Sequence, residues 1–263
     1  MSGRSEESCI IGACDETLLR DPLRRIWQAQ DVRETCKIQS HYASSGMQIP
    51  KISTNLAVTV DGKTSSWPSR PSGWTSCEDH NRLLELRSNA DAIIVGRGTW
   101  KSDRMTLTVK DKTAQPLRCI VSHKGELDLD HPIFTTPGGD IHLLITDSSR
   151  GEIAEALVPK VTVHRKSLTE FLTSLAVDYK VKRLHCEGGG QLIQTLAELE
   201  VIDEFHLTLA GHTIFGGQHA STATGIPADF LTKSNNFRLS LFKPNTQTGE
   251  CFLSYTRRQA EQK

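Results

Sequence analysis

Two segments decide most of what this chain can become. Residues 92–98 read Ala-Ile-Ile-Val-Gly-Arg-Gly, and residues 184–190 read Leu-His-Cys-Glu-Gly-Gly-Gly. Each is a short run that ends in glycines ahead of a segment with helical spacing. Apolar runs this short suit strands buried on both faces rather than helices. The glycines then let the chain turn into a helix whose first N–H groups are free. The same alternation recurs from residue 49 onward. Strands are expected at 51–59, 90–95, 117–121, 141–145, 160–164, 183–187, 202–209, 237–242 and 251–256, and helices at 78–88, 168–177 and 191–198. Strand and helix in turn build an α/β fold, a mostly parallel central sheet with helices on both faces. The last strands follow one another without helices, so an antiparallel edge is expected there.

Residues 1–47 differ in character. Leu19, Leu23, Ile26 and Trp27 share one helical face, which places an amphipathic helix over roughly 16–30. Pro22 falls within it, so the helix could equally begin there with Asp21 as its cap. The stretch 40–48, with Ser44, Ser45 and Gly46, reads as a linker. The expected division is therefore an N-terminal helical extension and linker at 1–47 and one domain at 48–263.

Lys plus Arg and Asp plus Glu each total 31, which gives no field to draw in nucleic acid or an anionic membrane. No apolar run approaches the ~20 residues that cross a bilayer. The first residues are mixed in charge with no apolar stretch after them, unlike a secretory leader. Seven cysteines, odd in number and without a C-x-x-C pair, look like reduced thiols of a cytoplasmic protein. His185-Cys186-Glu187 matches half of a zinc deaminase signature, but the companion P-C-x-x-C is missing. No metal site is expected.

The glycine turns suit phosphate. Backbone N–H groups at a helix start favour an anion, and glycine lets it come close. In the first turn Thr99 could cap the helix or meet a phosphate, and Arg97 could pair with another. An isolated G-x-G is more often a plain turn, and neither segment is a G-x-G-x-x-G fingerprint. Two such turns in one sheet carry more weight.

The residues also resemble known families. Val95-Gly96-Arg97-Gly98-Thr99-Trp100 is similar to the G-R-x-T-W cofactor turn of dihydrofolate reductases, and Cys119-Ile120-Val121-Ser122-His123 to their next nucleotide-contacting strand. A closer resemblance covers most of residues 50–257 and is to the reductase domain of riboflavin biosynthesis, which has a dihydrofolate reductase-like fold. It runs in order through residues 55–63, Leu83 to Arg87, Ala90 to Gly96, Asp103, Leu107 to Val109, Glu187 to Gly190, Val201 to Glu204 and Ile214 to Gly217. The strand end at 59–63 looks closer to the standalone archaeal and fungal enzymes than to bacterial fusions.

This resemblance implies NADPH-dependent reduction of 5-amino-6-(5-phosphoribosylamino)uracil to its ribitylamino product, by a homodimer acting on a small phosphorylated substrate. It puts Ala57, Trp74, Gly96, Thr99, Asp103 and Gly188, Gly189 and Gly190 against the cofactor. Ser122 and His123, with Arg97 and Lys124, fall near the adenosine 2′-phosphate. Ser72, Arg87, Leu107, Lys110 and Glu187 face the substrate. The family's D-D-P-x-L-T-V-R is here Asp103-Arg-Met-Thr-Leu-Thr-Val-Lys110, so a lysine stands where an arginine fork would hold phosphate. Asp61, at the end of the first strand, and Glu187 are the candidates to protonate or steady the imine, although Asp-Gly is commonly only a turn. Two rivals remain: another reductase of this fold, with dihydrofolate or another pterin or pyrimidine as substrate, and a nucleotide-binding protein without turnover.

Overall fold

The nine strands of the computed structural model form one sheet; the residues it describes are 48–66, 73–147, 153–217, 222 and 237–258. They are β1 (Lys51–Thr59), β2 (Ala92–Gly96), β3 (Leu117–Ser122), β4 (Ile141–Ile145), β5 (Thr162–Arg165), β6 (Arg183–Cys186), β7 (Ile202–Ala210), β8 (Phe237–Asn245) and β9 (Glu250–Arg257). Their order across the sheet is β5-β4-β3-β2-β6-β1-β7-β9-β8. All neighbours from β5 to β7 are parallel. β9 runs antiparallel between β7 and β8, which supplies the expected edge.

The helices are α1 (Cys77–Ser88), α2 (Arg97–Ser102), α3 (Leu168–Val177) and α4 (Gly190–Glu198). Strand side chains alternate between faces, so β2 feeds two separate cores. Ala92 and Ile94 pack with Phe171 and Leu175 of α3 and with Ile193 and Leu196 of α4. Ile93 and Val95 pack with Trp100, Leu107 and Ile133. Phe171 is fully buried, and its truncation to Ala should cost about 3–5 kcal/mol. A capping box starts α3: Ser167 Oγ accepts from Glu170 N while Glu170 reaches back to Ser167 N.

At the antiparallel end, α1 is tied to β7 and β9. Arg82 of α1 donates to the carbonyls of Leu207 and Leu253 and contacts the Thr208 and Ser254 hydroxyls. On β8, Leu239, Leu241 and Phe242 are exposed, Phe242 to 64%. At the opposite edge, His142 of β4 and His164 of β5 are buried together, with Nδ1 of one 3.0 Å from Nε2 of the other. Burial, and then the neighbouring His142 and Lys166, push His164 down to about 4.

Residues Gln48–Lys263 form one compact unit. The helix expected at 16–30 and the linker up to residue 47 lie outside the described residues.

Candidate active site

The two glycine turns, one after β2 and one after β6, are docked against each other. Gly96 N donates to Gly188 O at 3.0 Å, and Glu187 N donates to Ile94 O at 3.0 Å. The second turn needs glycine for its backbone: φ is +100° at Gly188 and +85° at Gly189, where side chains are strained. A Cβ at Gly189 would only touch Thr99 Oγ1 at 3.4 Å and Gly96 Cα at 3.5 Å, so the backbone conformation, not the space, calls for glycine. No side chain caps α4, so its N–H groups are free to face a ligand. They open into a cleft of about 1490 Å³ that runs along β1 and past the C-terminal ends of β2, β3 and β6. Ligands of parallel sheets collect at these strand ends.

Most residues expected at the cofactor line this one cleft: Ala57, Trp74, Gly96, Arg97, Thr99, Asp103, Ser122, His123 and Gly188, Gly189 and Gly190. Glu187 lines it too. Their side chains differ in how free they are. The buried Ser122 hydroxyl already accepts from Gly125 N at 3.0 Å, whereas the exposed His123 ring is 3.3 Å from Thr146 Oγ1 and 3.6 Å from Asp147. Arg97 donates to the Glu126 carbonyl and lies 3.7 Å from its carboxylate.

Five expected residues, Asp61, Arg87, Leu107, Lys110 and Lys124, do not reach the cleft wall. Arg87 is turned onto Glu187 as a fork, Nε to Oε1 at 2.5 Å and Nη2 to Oε2 at 2.6 Å. Burial works against the Arg87 charge, but the Glu187 carboxylate outweighs it and holds the guanidinium above its ordinary value. Leu107 is fully buried among Trp100 and Ile133, with φ +55° directing its side chain into the core. Lys110 is exposed at a turn and does not line the cleft. Asp61 is exposed and bonded to the loop at 215–216. Ser72 lies outside the described residues, and Lys124 is exposed.

The cleft also holds residues that pattern reading missed. Asp79 of α1 is buried in its wall and accepts from Thr208 Oγ1 at 2.5 Å. Asn55 lines the cleft from β1, and its buried Oδ1 has no partner among the described residues. The available signal for Asn55 was a polar amide inside an otherwise strand-like run. Nothing in the spacing marked Asp79. Among the described residues, no three His, Cys, Asp or Glu gather so as to hold a metal ion.

The family model described as the RibD C-terminal domain matches residues 50–240. The chain belongs to the RibD C-terminal domain family. Two similar proteins are named 2,5-diamino-6-ribosylamino-4(3H)-pyrimidinone 5′-phosphate reductase. The one from Archaeoglobus fulgidus is 30% identical over 188 residues, covering 66% of this chain and 85% of that protein. The one from Methanothermobacter thermautotrophicus is 29% identical over 223 residues, covering 79% and 98%. Among solved structures, Acinetobacter baumannii RibD superimposes with a TM-score of 0.68 at 21% identity. That match covers 80% of this chain but 58% of the other, so it shows the fold alone. As a RibD C-terminal domain, the chain has the α/β fold read from its sequence, and Glu187 with the three glycines after it marks the floor of its cleft.

Proposed function

We propose that this RibD C-terminal domain reduces a ribosylaminopyrimidine 5′-phosphate to its ribitylamino product with NADPH. The observation that carries the proposal is the pair of interlocked glycine turns, with the uncapped start of α4 facing the cleft. Pyrophosphate would be held there by backbone N–H groups, since no side chain caps the start of α4 and glycines precede it. The dinucleotide supplies the hydride, which joins C1′ of the opened ribosylamine while the imine nitrogen takes a proton, so that C=N becomes C–N. The protein's share is orientation. Ala57, Trp74, Thr99 and Asp103 line the wall that would hold the nicotinamide half, and Arg97 and His123 stand where a 2′-phosphate would select NADPH over NADH. Glu187 accepts both donors of the Arg87 fork and retains lone pairs for donors on the substrate. Arg87 thus acts through Glu187.

The diaminopyrimidinone is taken as the preferred substrate over the uracil because the two archaeal relatives are named for it. Asn55, whose amide carries both an acceptor and a donor, is the cleft residue suited to meet the base. The proposal further includes a cytoplasmic homodimer without nucleic-acid partners, with the exposed Leu239, Leu241 and Phe242 of β8 at the subunit contact. No helix of the described residues is long and apolar enough to cross a membrane.

The deciding experiment follows NADPH oxidation with the 2-amino substrate, the 2-oxo substrate and dihydrofolate side by side. Turnover fastest on the 2-amino compound is the expected result. Turnover on dihydrofolate alone would replace the proposed substrate, and binding of NADPH without turnover on any of the three would remove the enzyme reading.

A further inference from the structure

Asp61 ends the β1 turn outside the cleft, and its carboxylate is fully engaged. Thr59 Oγ1 donates to Oδ1, Phe215 N donates to Oδ1 at 3.4 Å, and Gly216 N donates to Oδ2 at 2.8 Å. The Thr59 hydroxyl and then these backbone groups hold the carboxyl below its ordinary range. A carboxylate satisfied in this way gives up its place as a proton donor. What the bonds do fix is the chain at Phe215, whose N–H and that of the next residue, Gly216, both donate to this one side chain. The Phe215 ring in turn meets the Trp74 ring edge-on, with centroids 5.0 Å apart at 74°. Trp74 is cleft wall.

We infer that Asp61 is a positioning residue: it anchors Phe215, and Phe215 holds the Trp74 indole in the wall of the cleft. The consequence for NADPH rests on the function proposed above, but the chain of contacts belongs to the cofactor-free protein and is testable there. Asp61→Ala removes all three acceptor contacts. Asp61→Asn keeps the shape and one acceptor oxygen, while its amide NH₂ faces a backbone N–H. Phe215→Ala cuts the next link.

The test uses the full chain and its intrinsic fluorescence. Four tryptophans are present, so Trp74→Phe isolates the Trp74 contribution by difference. Asp61→Ala and Phe215→Ala should each shift Trp74 emission to the red and raise its quenching by acrylamide. The double variant should add little to either, because both cut the same link. Asp61→Asn should move emission in the same direction by less, and it serves if the alanine variant folds poorly. The same substitutions should weaken NADPH binding roughly threefold to tenfold, the effect of one aromatic contact. KM for NADPH should rise more than kcat falls, and the pH dependence of kcat should keep its shape. Trp74 emission unchanged in every variant overturns the inference, whether or not the parent binds NADPH. A collapse of kcat with loss of a pH limb in Asp61→Asn, absent from Phe215→Ala, overturns it in favour of a proton donor. A parent that fails to bind NADPH overturns the proposed function and leaves the emission to decide the anchor.

Discussion

The sheet buries two polar pairs and treats them in opposite ways. Beside the cleft, Arg87 and Glu187 are buried as full charges, with side-chain exposures of 12% and 2%. At the β4–β5 edge, His142 and His164 are buried as neutral rings, with Tyr179 edge-on to His142 at 4.6 Å. A buried ion pair is seldom a better stabiliser than apolar residues of equal volume. A neutral pair sharing one hydrogen bond avoids that desolvation cost, but only while neither ring takes up a second proton. The difference teaches where charge is kept: the pair beside the cleft is ionic, and the pair at the sheet edge is not.

The largest effect should come from breaking the ionic pair. Glu187→Ala leaves Arg87 buried without its carboxylate and should cost about 3–5 kcal/mol, a fall in Tm of roughly 10 °C by thermal unfolding. Replacing both partners, Arg87→Met with Glu187→Leu, should recover most of that stability and none of the activity. Recovery of activity by the double variant would mean that the pair serves the fold alone.

Acid should break the neutral pair next. Burial lowers the affinity of His131, His142, His164, His185 and His206 for protons in the folded chain. The unfolded chain takes up protons near pH 6.5, whereas His164 and His185 do so only at about 4 when folded. Their contribution is therefore complete above about pH 6.5 and is lost as pH falls toward 4. Tm should drop by roughly 5 °C between pH 7 and pH 5. His142→Leu with His164→Phe should flatten part of that slope at little cost at pH 7; an unchanged slope would clear this pair of responsibility.

Surface charge sharpens the contrast. Arg97→Ala should reduce the preference for NADPH over NADH about tenfold, in line with the loss of one charge-assisted hydrogen bond. Titration of both cofactors by nicotinamide fluorescence reads it directly, and equal losses for the two would separate Arg97 from the 2′-phosphate. Lys110→Ala should have the smallest effect, under about threefold in KM, because exposed charges are well screened. A larger rise that vanishes with the dephosphorylated substrate would restore Lys110 as a phosphate contact.

These residues also mark how far the sequence could be read. β2 is legible because Ala92 to Val95 are all apolar, β4 because four of its five residues are, and α4 because glycines precede an apolar stripe. β8 continues past the expected Phe242 to Asn245 through Pro244, which an edge strand tolerates. β5 begins at Thr162, since Lys160 and Val161 donate to Leu157 O in a turn instead. The residues that line the cleft after β2 and β6 were legible as motifs because glycines and their flanks act locally. The partnership of Arg87 with Glu187, 100 residues apart, was not, since it depends on which strands become neighbours. Nor does the motif spacing around Leu107 and Asp61 say which way an irregular backbone points a side chain.

The place of β1 has a consequence for how the chain is made. It is the first strand of the domain, yet it sits between β6 and β7; Ser53 meets His185 from 132 residues away, and Ile52 meets Asp203 from 151. A ribosome adding about 5–20 residues per second takes on the order of ten seconds to deliver those partners. Through that interval β1 has both edges open and Ile52 without cover. Its closure is also entropically slow, since so long a loop must form before any contact rewards it. The nascent chain is therefore most exposed to aggregation or to chaperones between the synthesis of β1 and that of β7, and the glycine turns can lock together only as that interval ends.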